Sequence, residues 1–147
     1  MKSKLIFFGG LISLILLFRF SVNNPKLYNQ TDPQPTPLPF KNLSVEESLD
    51  LLKQTNDIFL LDVHTPQQEH LDGTDAFIPF DQIVDSQNQL PNDKSTPILV
   101  YCRSGSMSLM ASEDLFSLGY TNVYNLSGGI HAWEGAGFPI NWNQVTK

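Results

Sequence analysis

Two short apolar runs constrain the fold more than any other feature of this 147-residue chain. They are Ile58 to Val63 (IFLLDV) and Pro97 to Tyr101 (PILVY), and neither alternates between apolar and polar residues as a half-exposed strand would. Runs of this kind are typical of strands buried on both faces of a parallel sheet. Because parallel strands need crossover connections, helices are expected between them.

A helix pattern precedes the first run. Ser44 and Glu47 have the spacing of a capping box, in which each residue's side chain satisfies a backbone N–H of the other. The following Val45, Leu49 and Leu52 recur at helical spacing and define one apolar face.

A second helix and a third strand follow the second run. The pattern predicts a helix from Ser106 to Leu118, ended by Gly119, and a strand from Asn122 to Leu126. Helices and buried strands therefore alternate. This order predicts an α/β domain with a mainly parallel central sheet flanked by helices, and ligands are expected at the carboxyl ends of the strands.

The amino-terminal 22 residues are expected to form an apolar helix or leader before this domain. Residues 5–22 are mainly apolar and follow Lys2 and Lys4, which is typical of a secretory signal peptide or an uncleaved signal anchor. No small-x-small cleavage site is obvious between Arg19 and Asn24, which favours an anchor. With the lysines inside, the domain would be membrane-anchored outside the cytoplasm. The alternative is a protein secreted after signal cleavage.

Residues 23–40 contain five prolines and read as an extended tether that leads to a domain at 41–147. Proline-rich segments can also be ligands of recognition modules. From Lys41 onward there are five lysine and arginine residues against fourteen aspartate and glutamate residues, a net charge of about −9. Because nucleic-acid binding needs a basic surface, this charge argues against a nucleic-acid partner.

The chain has a single cysteine, Cys102, directly after the second apolar run. One cysteine excludes an internal disulfide and any multi-cysteine metal site. It leaves a buried structural thiol, an intermolecular bridge or a nucleophile as the possibilities.

The seven residues that begin with this cysteine (CRSGSMS) connect a strand to a helix through small side chains. Such a loop lets successive backbone N–H groups converge on an anion, and the helix dipole adds positive potential. Both effects favour a thiolate and would hold a persulfide without a metal or organic cofactor. We expect Cys102 to be the catalytic residue, with the sulfur accessible at the mouth of the sheet, and the substrate-binding residues to be Arg103, Ser104, Gly105, Ser106, Met107 and Ser108.

Three motifs in series resemble the rhodanese family of single-domain sulfurtransferases, over most of Asn42 to Asn141. They are Leu60 to Pro66 (LLDVHTP), Cys102 to Gly105 (CRSG), and Gly128 to Trp133 (GGIHAW) with its continuation to Pro139. The resemblance implies a small rhodanese-like domain. It also implies a transferase that moves sulfane sulfur from a small-molecule or protein donor, such as thiosulfate, to a thiol acceptor through a persulfide.

Two residues depart from the family pattern. Met107 stands where many active members have a basic residue, and His64 stands where an arginine usually follows Asp-Val. An anionic donor would therefore meet one guanidinium, that of Arg103, and weak thiosulfate turnover is expected. Met107 also begins a helical stripe typical of core packing, together with Ala111, Leu115 and Leu118.

The remaining polar residues are given no catalytic role. His70 is expected to satisfy backbone hydrogen bonds. Asp62 either orients Arg103 or a loop amide, or stabilises a turn. The three histidines, His64, His70 and His131, lack metal-ligand spacing, so no metal is expected.

Two rival functions remain open. In phosphatases and arsenate reductases of the Cys-x5-Arg kind an arginine clamps the oxyanion, but counting from Cys102 puts Ser108 at that position. The other rival is a non-catalytic binding or redox-sensing module at the membrane surface.

Overall fold

The computed structural model describes residues 38–55, 57–138 and 140. The expected signal segment at 1–22 and the tether up to residue 37 lie outside the described residues. Within the described ranges, no helix is both long enough and apolar enough to cross a membrane.

The core of the domain is a five-stranded sheet with the order β1-β5-β4-β2-β3. Every pairing within it is parallel, as the apolar runs predict. The strands are β1 (Lys41–Leu43), β2 (Phe59–Asp62), β3 (Ala76–Phe77), β4 (Ile98–Tyr101) and β5 (Val123–Leu126).

The two apolar runs form the neighbouring strands β2 and β4 at the centre of the sheet. They pair in register from Phe59 opposite Ile98 to Asp62 opposite Tyr101, and every residue of both strands is buried. The predicted strand bounds agree with the structure to within one residue, because strands buried on both faces are mainly apolar. Asp62, at the end of β2, is the exception.

Three helices cover the sheet: α1 (Val45–Gln54), α2 (Ser106–Ser117) and α3 (Gly129–Gly135). The predicted capping box is present at α1. The Glu47 amide donates to Ser44 Oγ at 3.2 Å, and the Ser44 amide donates to Glu47 Oε2 at 2.8 Å. Helix α2 ends one residue before the predicted Leu118, and Gly119 follows with a φ of +91°.

Apolar side chains form one core on each face of the sheet, because successive strand residues point to opposite sides. Residues Phe59, Leu61, Ile98 and Val100 belong to the core that includes Ala111 and Leu115 of α2. Residues Leu60, Leu99 and Tyr101 belong to the core that includes Val45 of α1 and Ile130 and Trp133 of α3. Met107 and Leu118 pack against the α2 core, which confirms the apolar stripe.

Candidate functional site

Cys102 lies immediately after β4, and only 1% of its surface is exposed. It continues the alternation of Ile98 and Val100, so its side chain points to the face covered by α2, and it belongs to that apolar core. The expectation of a solvent-accessible sulfur is therefore wrong for this structure.

The sulfur nevertheless has polar partners. The Gly105 amide donates to Cys102 Sγ at 3.1 Å, and Gly105 is the N-cap of α2 with a φ of +100°. Ser108 Oγ lies 3.5 Å from Sγ and 3.0 Å from the Gly105 carbonyl oxygen, so its one proton has two possible acceptors. Hydrogen-bond donors and the amino end of a helix together form an environment suited to an anionic group.

The other predicted loop residues are divided between the surface and the core. Arg103, Ser104 and Ser106 are exposed, whereas Met107 is partly buried against the α2 core. The structure therefore brings the backbone of Gly105 and the hydroxyl of Ser108 to the sulfur, and leaves the two other serine side chains at the surface.

The Arg103 side chain is held by a residue outside the loop. Its Nε–H donates to His131 Nε2 at 2.9 Å, and both residues are exposed. Only a neutral imidazole with its proton on Nδ1 can accept this bond. His131 was not among the predicted site residues, because a partner 28 positions away leaves no signal in local spacing.

The start of α3 docks directly against the carbonyl groups of the loop. The Ile130 amide donates to the Cys102 carbonyl oxygen at 2.9 Å, and the His131 amide donates to that of Arg103 at 3.0 Å. Gly129 makes this approach possible, since a Cβ there would lie 2.1 Å from the Cys102 oxygen. Paired glycines before an apolar helix were the available sequence signal for such a contact.

A buried carboxylate and imidazole lie behind the loop. Asp62 Oδ2 is 2.8 Å from His70 Nδ1, and Asp62 Oδ1 accepts the His64 amide at 2.8 Å. Burial raises the pKa of the Asp62 carboxyl, and these two contacts oppose that effect. Asp62 thus stabilises a turn, one of its two expected roles. The expected backbone bonds of His70 are wrong: its ring contacts the side chains of Asp62 and Gln67.

The Tyr101 side chain connects β4 to the segment that contains Leu71 and Thr74. Its hydroxyl accepts the Leu71 amide at 3.0 Å and lies 2.6 Å from Thr74 Oγ1. Burial, with a contribution from the negative charge of Asp62, raises the pKa of Tyr101, so this residue acts as a neutral structural phenol.

The electrostatic environment of His64 includes the exposed residues Arg103 and His131. Burial lowers the pKa of His64, Asp62 opposes this effect, and the positive charge of Arg103 lowers it further. Within the described part of the chain, no group of three or more His, Cys, Asp or Glu side chains is placed to hold a metal ion.

A cavity of about 330 Å³ opens beside the loop. It is lined by one guanidinium, one imidazole, two carboxylates, two amides and two apolar side chains. These residues are Arg103, His131, Glu69, Glu134, Gln67, Gln68, Ile130 and Ile140. A larger surface groove of about 1150 Å³ runs along β2 and β3 and contains none of the predicted site residues.

Comparison with known proteins supports one family. The family model of the Rhodanese-like domain matches residues 44–136. A sulfurtransferase of Allochromatium vinosum is 39% identical over 92 residues, covering 60% of this chain and 83% of its own length. The thiosulfate sulfurtransferase GlpE of Pseudoalteromonas translucida is 29% identical, covering 66% of this chain and 91% of its own length.

The fold comparison agrees. The crystal structure of a thiosulfate sulfurtransferase from Pseudomonas aeruginosa superposes with a TM-score of 0.62 and 25% identity. The match covers 71% of this chain but 21% of that protein, so it concerns one part of the larger chain.

Proposed function

This chain belongs to the rhodanese-like domain family, and on that basis we propose that it moves sulfane sulfur from a donor to a thiophilic acceptor through a persulfide on Cys102. The sulfurtransferase relatives support the reaction class. The observation that carries the proposal is the 3.1 Å hydrogen bond from the Gly105 amide to Cys102 Sγ at the amino end of α2. This contact stabilises the ionised sulfur that the reaction requires.

The reaction proceeds in two displacements. The Cys102 thiolate attacks the outer sulfur of a donor such as thiosulfate, the donor's S–S bond breaks, and sulfite leaves with the electron pair. An acceptor thiolate then attacks the outer sulfur of the Cys102 persulfide, which restores the Cys102 thiolate and leaves the acceptor as a persulfide. Neither step uses a metal or an organic cofactor.

The residues around the sulfur have different roles in the proposed reaction. The Gly105 amide and the Ser108 hydroxyl stabilise negative charge on Cys102. Arg103 supplies the loop's one positive charge for an anionic donor. Met107, where a second cation would help, packs against the core and gives an apolar surface. Thiosulfate is therefore expected to be a weak donor.

Intact-mass measurement after incubation with a sulfane donor tests the proposal. Wild-type protein should gain one sulfur atom from thiosulfate or from a persulfide donor, and Cys102→Ser should gain none. Addition of an acceptor thiol should remove the extra sulfur. Absence of any mass gain with every donor would contradict the proposal.

The burial of Cys102 favours a second candidate, a non-catalytic binding or redox-sensing module. A thiol with 1% exposure reacts only if neighbouring groups move aside. The rate of alkylation by iodoacetamide separates the two candidates. A sulfurtransferase needs local motions that expose the thiolate to its donor, so Cys102 should react within minutes in the folded protein, whereas a packing cysteine should react only upon unfolding.

We also propose that residues 1–22 anchor the domain to a membrane on the side away from the cytoplasm, with secretion after cleavage as the alternative. The support is the apolar sequence of residues 5–22 and the preceding lysines. The sulfur donor and the thiol acceptor would then be molecules of that compartment.

A further inference from the structure

Arg103 is the one basic residue between Cys102 and Ser108. An exposed arginine has many rotamers, and ordering it against an anion costs side-chain entropy. In this structure the side chain is already ordered, because its Nε–H donates to His131 Nε2 at 2.9 Å. A guanidinium bound through Nε keeps both terminal amino groups free for another acceptor.

The position of His131 is itself determined by the backbone. Its amide donates to the Arg103 carbonyl oxygen at 3.0 Å, and the neighbouring Ile130 amide donates to the Cys102 carbonyl oxygen at 2.9 Å. Gly129 permits this contact, because any larger residue would collide with the loop backbone. His131 is therefore joined to Arg103 by a main-chain bond and a side-chain bond.

The chemistry of the acceptor matters as much as its position. Glu69 and Glu134 line the same cavity as Arg103 and His131. A carboxylate partner would orient the guanidinium and also cancel its charge. A neutral imidazole orients the guanidinium and leaves its positive charge available to an anion.

From this arrangement we propose that His131 is the positioning residue that orients Arg103 toward oxyanion-bearing sulfur donors, of which thiosulfate is the simplest. This inference rests on the proposed sulfurtransferase function. His131 does not touch the reacting atoms and acts through Arg103. Transfer from a donor without an oxyanion group should not depend on His131.

Binding of thiosulfate to the full chain carrying Cys102→Ser tests the inference without turnover. Titrations followed by NMR at about pH 8, where an ordinary imidazole is neutral, give the dissociation constant. Adding His131→Ala should weaken binding about five-fold, as expected for loss of a solvent-exposed hydrogen bond of ordinary net strength. His131→Gln, whose amide oxygen is also a neutral acceptor, should stay within about two-fold of the parent.

Two further variants separate orientation from charge. His131→Glu should keep the Arg103 Nε–H signal hydrogen-bonded but weaken thiosulfate binding, because the carboxylate neutralises the guanidinium. Glu134→Ala, one turn along α3, should not weaken binding, because it removes a negative charge from the cavity and leaves His131 in place.

Kinetics of the protein with Cys102 intact complete the test. For thiosulfate, His131→Ala should raise KM about five-fold and leave kcat unchanged, whereas a persulfide donor, which carries no oxyanion group, should show neither change. Equal thiosulfate binding by the parent and His131→Ala would overturn the inference, as would no binding by the parent. Failure of the proposed function is a different result, since it is the absence of a persulfide on Cys102 with any donor.

Discussion

At the residue scale, Gly129 lies where the first turn of α3 meets the loop that carries Cys102. Its φ is +57°, and a Cβ would approach the carbonyl oxygen of Cys102 and the backbone of Arg103 at 2.1 to 2.9 Å. Neither backbone can move without breaking the bonds donated by Ile130 and His131. The absence of a side chain at Gly129 thus determines the spacing between α3 and the loop that carries Cys102.

Gly129→Ala should lower the free energy of unfolding by about 2 to 4 kcal/mol, because it introduces both a backbone collision and an unfavourable φ. Urea unfolding of the variant measures the loss. Gly135→Ala is the matched control on the same helix, since a Cβ there meets nothing within 4 Å. It should be neutral or stabilising by less than about 1 kcal/mol. Similar effects of the two substitutions would contradict this account of Gly129.

The environment of Asp62 predicts a pH dependence of the stability of the domain. It is fully buried at the end of β2, and burial raises the pKa of its carboxyl above the ordinary value of 3.8. A group whose pKa is raised by folding stabilises the fold fully below the unfolded value and loses that contribution as the pH rises through the folded value. Asp62 therefore favours the folded state most in acid.

The free energy of unfolding of the wild type, relative to Asp62→Asn, should fall as the pH rises from about 4 toward neutrality. Urea unfolding of both proteins across this range, at constant ionic strength, measures the difference. A wild-type advantage that grows with pH would mean that the contact with His70 outweighs burial, and would contradict the prediction.

At the scale of elements, α1 has the most complete local signal in the chain. Both hydrogen bonds of its capping box form, Glu46 and Glu47 lie in the first turn, and Lys53 lies in the last. Helices α2 and α3 lack this device, because both begin at a glycine with positive φ. The amides of Ile130 and His131 in the first turn of α3 donate to carbonyl groups of the loop, and the amide of Gly105, the N-cap of α2, donates to Cys102 Sγ.

Ser44→Ala should destabilise the domain by about 1 kcal/mol, because it leaves the Glu47 amide without its side-chain acceptor. Ser44→Asp keeps an acceptor at the cap and should remain within about 0.5 kcal/mol of wild type. Chemical denaturation of the three proteins gives the comparison. An alanine variant as stable as wild type would show that the capping box adds nothing to the packing of α1.

At the scale of the whole molecule, the domain is a parallel sheet with an apolar core on each face, and the loop that carries Cys102 follows the carboxyl end of β4. From Lys41 onward the chain is strongly acidic. Such a surface repels anions at a distance, so Arg103 must supply the local attraction for an anionic donor in the proposed reaction.

The proposed anchor also belongs to this scale. In cells that produce the full chain with a carboxyl-terminal tag, the protein should stay in the membrane pellet after alkaline carbonate extraction and retain its full mass. External protease should reach the domain in intact spheroplasts. A shorter, soluble protein would favour signal cleavage, and a full-length protein in the soluble fraction would contradict both topologies.

The amino-acid sequence by itself determined the α/β class, the parallel sheet, the bounds of β2 and β4, α1 with its capping box, and the loop at Cys102. These features depend on local hydrophobicity, caps and glycine, which act over a few residues. Strands β1 and β3, with three and two residues, are too short for a periodic pattern and exist only through their pairing partners.

Only the tertiary structure decided how the site is assembled. Because side chains alternate along β4, the side chain of Cys102 points into the core covered by α2. The contact of α3 with the loop places His131 within hydrogen-bond distance of Arg103. The contacts of His70 with the side chains of Gln67 and Asp62 likewise depend on how residues 64–74 fold over the sheet. Such contacts join residues far apart in the chain, and no local spacing encodes which of them will meet.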